Sequence, residues 1–153
     1  MSFLKASIIG LLLVVIGATL PGQSRDIRSP LHWAARHGLV DIASELLENG
    51  ADIDGTDILG RTALHLAVRH PGMVSFLVSE GASLEVRDHL SNTPLHKAIW
   101  VHSPETVAIL VASGANVNAR NIAGYTPLDL AIRNGTSRAN RRVVSTLVGA
   151  GAQ

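Results

Sequence analysis

Apolar residues recur along this chain in four blocks at helical spacing. They are Leu31, Ala34 and Ala35, then Leu64, Ala67 and Val68, then Leu95, Ala98 and Ile99, and last Leu128, Ala131 and Ile132. Positions three and four apart share one face of a helix, so each trio reads as the buried stripe of a short helix. A second apolar series follows each block: Ile42, Ala43, Leu46 and Leu47; Met73, Val74, Leu77 and Val78; Val107, Leu110 and Val111; Val143, Val144, Leu147 and Val148. Polar connectors, "ADIDGTDILGR", "ASLEVRDHLSN" and "ANVNARNIAGY", separate the pairs. The pattern predicts four helix pairs joined by turns.

The punctuation agrees. Ser29, Thr62, Thr93 and Thr126 precede the first helices, where a hydroxyl can accept from free N–H groups of the first turn. Pro30, Pro94 and Pro127 follow at the first helical position, where a missing N–H costs little. Gly38 and Gly135 suit a left-handed stop of the first helix, and Gly50, Gly81, Gly114 and Gly151 end the second. The hydroxyl anchors are spaced 33, 31 and 33 residues, and the Gly-Ala pairs that begin at those last four glycines are spaced 31, 33 and 37. Two independent anchors therefore give a period near 33, the length of a structural repeat.

Residues 1–23 have another character. After Lys5, Ala6 to Leu20 run 15 residues with only Ser7 and Thr19 weakly polar. A spanning helix wants about 20 apolar residues, whereas the core of a secretory signal runs about 7–15. Pro21 and Gly22 then break any helix. The run reads as a cleaved signal, with cleavage after Ala18 or near Gln23 and Ser24. An uncleaved anchor and a buried N-terminal helix are the alternatives.

Aromatic residues make up only 3% of the chain, so the core must be aliphatic and closely packed. The formal net charge is +1, which gives no reason to expect nucleic acid. There is no cysteine, which excludes disulfides, thiol nucleophiles and Cys-ligated zinc.

The stretches "SPLHWAARHGLVDIASELLENGADID", "TALHLAV", "TPLHKAI", "ETVAILVASGANVNARN" and "GYTPLDLAIRNG" resemble the ankyrin repeat. Four copies, at about 26–58, 59–89, 90–122 and 123–153, make one domain over 26–153. The resemblance implies an all-α fold, a solenoid of stacked helix-turn-helix units with β-turn fingers. Such copies fold as a cooperative array. Three departures stand out. The second copy has Ala63 for Pro and a connector around "RHPGM" shortened by two residues, where Pro71 is expected to end the first helix early. The third uses Ser103 as N-cap and Pro104 as first residue of its second helix. The fourth carries four extra residues in "NGTSRANRR", read as an elaborated loop, and is expected to serve as the C-terminal cap.

His32, His65 and His96 occupy equivalent positions, with Asp129 in the fourth copy. Stacked elements lie about 10 Å apart, but zinc ligands sit about 2.0–2.1 Å from one ion. The series cannot share a metal. The resemblance implies that this His is scaffold, bonding backbone around the connecting turn; Asp129 has no following copy to bond. Asp52, Asp54 and Asp57 lack the spacing and bidentate Glu of an EF-hand and read as turn-stabilising finger residues. His65 and His70 have four residues between them, which is not the i, i+4 spacing of a helical metal pair. No nucleophile-elbow, zinc-protease or phosphate-loop motif occurs.

Function is therefore sought on the surface. The resemblance places Arg36-His37, Arg69-His70, Trp100-Val101 and Arg133-Asn134 on a concave face, beside the finger tips. The candidate contact residues are Arg36, His37, Ile58, Leu59, Arg61, Arg69, His70, Leu90, Trp100, Tyr125 and Arg133. Arg and aromatic side chains are favoured interface types. Arg133, Arg138, Arg141 and Arg142 form a basic stretch, read as a solvated loop. The expected protein is a monomeric, exported, non-enzymatic binder of an unidentified protein, without cofactor, metal or nucleic acid. It would be periplasmic or secreted, or membrane-anchored if the N-terminal run is kept. An enzyme or metal protein is the third reading.

Overall fold

The structure, a computed structural model, describes residues 29–153. The signal or anchor reading of 1–23 lies outside the described residues, as does the start of the first repeat. Eight helices are described: α1 (Pro30–His37), α2 (Val40–Glu48), α3 (Ala63–Ala67), α4 (Pro71–Ser79), α5 (Pro94–Trp100), α6 (Pro104–Ala112), α7 (Pro127–Arg133) and α8 (Arg138–Gly149). The first helices of the pairs, α1, α3, α5 and α7, pack each on the next, and so do the second helices α2, α4, α6 and α8. The result is a two-layered solenoid of helix pairs, with the core running between the layers.

Ser29, Thr62, Thr93 and Thr126 all stand at N-caps. Leu31, Leu64 and Leu95 are fully buried, with Ala34, Ala67, Ala98 and Ala131 at the tightest contacts. Small side chains there let the helix layers approach closely. As expected, Pro71 cuts the second copy short. The helix α3 has five residues, and Pro71 itself opens α4 at its first position.

Three details differ from the sequence reading. Ser103 occupies the N-cap of α6, but its hydroxyl donates to the Thr106 hydroxyl at 3.0 Å and caps no backbone N–H. Thr106 in turn donates to the carbonyl of Val68 in the preceding copy at 3.0 Å, and that bond sets the geometry. The extra residues of the fourth copy lengthen a helix more than a loop. Ser137 caps α8 by accepting from Asn140 N, and α8 has 12 residues, including Arg138, Arg141 and Arg142. Lastly, Ile132 is 63% exposed, whereas its equivalents Val68 and Ile99 are 4% and 1% exposed. Val144 is half-buried and Val148 exposed on the same end. In the other copies the following helix pair covers this face; no described residue covers it in the fourth.

Candidate functional site

The groove between the first helices and the fingers is shaped by polar bonds that repeat with the period. In each of three copies one histidine joins a cap to the next finger. The Nδ1 of His65 accepts from Thr62 N at 3.2 Å, and its Nε2–H donates to Asn92 O at 3.0 Å. His96 does the same with Thr93 and the carbonyl of Tyr125. His32 joins the Ser29 hydroxyl to Arg61 O at 2.8 Å. The backbone donors at Nδ1 assign the Nε2–H tautomer in His65 and His96. Burial pushes both rings below the ordinary histidine range, only partly offset by the finger carbonyl each bonds. With both nitrogens engaged, one on the cap of its own helix and one on the next finger, the series is scaffold. Asp129 keeps only the local half of the motif, accepting from Thr126 N at 2.8 Å.

The fingers are held from within. Asp57 Oδ1 accepts from Leu59 N and Arg61 N, both at 2.9 Å, and Oδ2 takes the Arg61 guanidinium. Asp88 accepts from Leu90 N and Asn92 N in the same way and pairs with Lys97 at 2.9 Å. Asn121 repeats the pattern, accepting from Ala123 N and Tyr125 N. Burial alone would raise Asp57 and Asp88. The bonds from Arg61 and Leu59, and from Lys97 and Asn92, outweigh it and hold both carboxyls below the usual range. Neighbouring fingers are joined at their tips by His89 N to Leu59 O and Ile122 N to Leu90 O, both 2.9 Å. Asp54 adds a bond from Ser83 N. The acidic run is turn scaffold.

On this frame the candidate contact residues separate into groups. Leu90, Trp100, Tyr125 and Arg133 line one groove of about 470 Å³, together with Ile122, Leu130 and Lys97. Arg133 lies 4.8 Å from the centre of the Tyr125 ring and donates to its hydroxyl at 3.2 Å. Arg36, Arg61 and Arg69 line an adjoining groove of about 290 Å³, again with Lys97. Ile58 and Leu59 are exposed finger-tip residues outside both. His37 turns back on its own helix, bonding Trp33 O and lying 4.5 Å from the Trp33 ring. The ring of His70 donates to Arg36 O at 3.0 Å, tying the second copy to the first. Asn134 makes the like bond to Ile99 O. Such residues vary between copies yet hold the stack.

Lys97 is the groove residue the sequence reading passed over. The signal was present: Lys97 stands three residues before Trp100, on the same helix face. Among the described residues no cluster of His, Cys, Asp and Glu has metal-binding geometry, and no helix is long and apolar enough to cross a membrane.

The chain matches the family model described as "Ankyrin repeats (3 copies)" over residues 5–88, 54–121 and 70–153. It is 35% identical over 91 residues to transient receptor potential cation channel subfamily A member 1 of Homo sapiens, covering 56% of this chain and 8% of that protein. It is 39% identical over 75 residues to rabankyrin-5 of Mus musculus, covering 47% and 6%. It is 37% identical over 71 residues to an L-asparaginase of Dirofilaria immitis, covering 45% and 12%. The chain thus spans a small fraction of the length of these relatives. Their names share no single activity, so likeness to them carries the repeat and not a reaction.

Proposed function

The chain belongs to the ankyrin-repeat family, and from that premise we propose that it is a non-enzymatic protein-interaction module whose partner seats on the finger-side grooves. The observation that carries this is Trp100, 70% exposed beside the Arg133–Tyr125 stack, in a groove whose walls are fixed by buried bonds. An exposed Trp next to Arg and Tyr is the composition of an interface hot spot. Rigid walls reduce the ordering entropy that binding costs. The test is crosslinking capture with the full chain. Changing Arg36, Arg69 and Arg133 together to Glu abolishes capture of the crosslinked partner while the melting temperature stays unchanged. Capture that survives all three reversals sinks the groove assignment.

The proposal includes export to the periplasm or beyond the cell, which the length of the apolar run at Ala6–Leu20 supports. Retention of that run would instead make a membrane-tethered scaffold. One observation favours a further reading. The family match begins at residue 5, and Gly17-Ala18 stand 33 positions before Gly50-Ala51, so the run also continues the repeat sequence. N-terminal sequencing of the protein from its native host separates cleavage from the two readings that retain the run. A mature start between Thr19 and Arg25 supports export, and a start at Met1 or Ser2 excludes cleavage.

A further inference from the structure

The two adjoining grooves differ in chemistry, and Lys97 is the wall they share. One is cationic. Of its cations, Arg61 is neutralised by Asp57 and Lys97 by Asp88, and both carboxylates are buried beneath the surface. Arg36 and Arg69 are exposed and pair with no carboxylate among the described residues. The acidic residues Asp41, Glu45, Glu48, Glu80 and Glu105 lie on or beside the second helices, in the other layer. Among the described residues, this groove therefore presents the charges of Arg36 and Arg69 without a paired carboxylate.

The other groove is apolar and aromatic. Trp100 and Ile122 are each 70% exposed and Leu90 57% exposed, around one cavity with Tyr125. The chain has two Trp and one Tyr in all, and two of these three line this groove.

We propose that the partner docks as a bipartite segment: an aromatic or branched aliphatic side chain between Leu90, Trp100, Ile122 and Tyr125, and carboxylates over Arg69 and Arg36. This rests on the protein-binding reading and names the chemistry of the partner. The charge of the first groove selects acid, and the lining of the second selects an apolar anchor. With Arg36 and Arg69 in one groove, and an apolar cleft whose one further unpaired cation, Arg133, is stacked on Tyr125, the pair suits a peptide better than a nucleic acid backbone.

The stack also sets the spacing. Arg36, Arg69 and Trp100 are equivalent positions of successive copies, about 10 Å apart for packed helices. An extended chain advances about 3.3 Å per residue. The carboxylates therefore fall about three and about six residues to one side of the anchor.

The probe is a phage-displayed library of random 12-residue peptides, selected on the full chain. Synthetic peptides carrying the selected sequences are then titrated by fluorescence polarisation. The expected consensus has Asp or Glu about three and six positions from a Phe, Trp, Leu or Ile. Trp100→Ala and the double change Arg36→Glu with Arg69→Glu each weaken binding at least about tenfold, and added salt weakens the acidic peptides. All three residues are exposed, so the variants should keep the wild-type urea midpoint. Peptides lost on Leu90→Asp, yet lacking this spacing or indifferent to the Arg reversals, overturn the bipartite segment and leave the binding module standing. Peptides indifferent to every groove change, or a library yielding none, overturn both. Selection of the same groove by single-stranded oligonucleotides in preference to the peptides would also overturn it.

Discussion

A single histidine shows how residue chemistry fixes this fold. His65 is buried, neutral, and bonded at one nitrogen to the cap of its own helix and at the other to the next finger. Below pH 6.5, the ordinary histidine value, the unfolded chain takes up protons that buried His65 and His96 resist. Their stabilisation is complete above that value and is lost as pH falls from it toward the folded values. Asp57 and Asp88 add theirs above 3.8 and lose it below. Melting temperature followed from pH 8 to pH 3 should be flat at first, fall below 6.5, and fall again below 3.8. Changing His65 and His96 to Gln should shrink the first fall; an undiminished first fall would assign it to other groups. Two residues work against their backbone. Ser91 and His102 have φ of 58° and 57°, at positions where other copies carry Gly60 and Gly124, or Gly38 and Gly135. His102→Gly should raise stability by about 0.5–1 kcal/mol in urea titration, the left-handed penalty less the extra chain entropy. The role of the repeated His was legible from the period. That of His70 was not, because its partner, the carbonyl of Arg36, lies 34 residues away and follows no repeated residue type.

At the scale of elements, caps and prolines were legible because their causes are local. Ser29, Thr62, Thr93 and Thr126 begin helices through bonds to residues three positions on, and such offsets can be counted along a chain. The extra residues of the fourth copy were not legible, for the complementary reason. Nothing in "NGTSRANRR" announces that Asn140 reaches back to the carbonyls of Ala131 and Gly135. Those bonds close the turn between α7 and α8 and let Arg138, Arg141 and Arg142 begin a helix in place of a loop. Asn140 is 4% exposed, and its loss removes two hydrogen bonds, worth about 0.5–1.5 kcal/mol each, that close this turn. Asn140→Ala should cost about 1–3 kcal/mol. Loss of helix signal should accompany it, confined in hydrogen exchange to α8. Uniform loss of protection along the chain would show instead that α8 is needed by the whole array.

At the scale of the molecule, one rule decides whether an apolar position is core: whether another helix pair lies over it. Position by position the copies are alike, and Ile99 and Ile132 carry the same side chain in the same register. The first is sealed under the fourth copy, while the second faces outward at the end of the described stack. Sequence periodicity cannot distinguish them, since it reports which face of a helix is apolar and not what that face meets. The energetic difference should be large. Ile99→Ala removes a buried side chain between two packed layers and should cost about 2–5 kcal/mol. Ile132→Ala removes one that is mostly hydrated already and should cost under about 1 kcal/mol. Urea titration of the two variants, with the wild type as reference, gives the comparison directly. Because neighbouring copies share their interfaces, the Ile99 variant should still unfold in one transition, shifted as a whole. Equal costs at the two positions would mean that something covers Ile132 in solution.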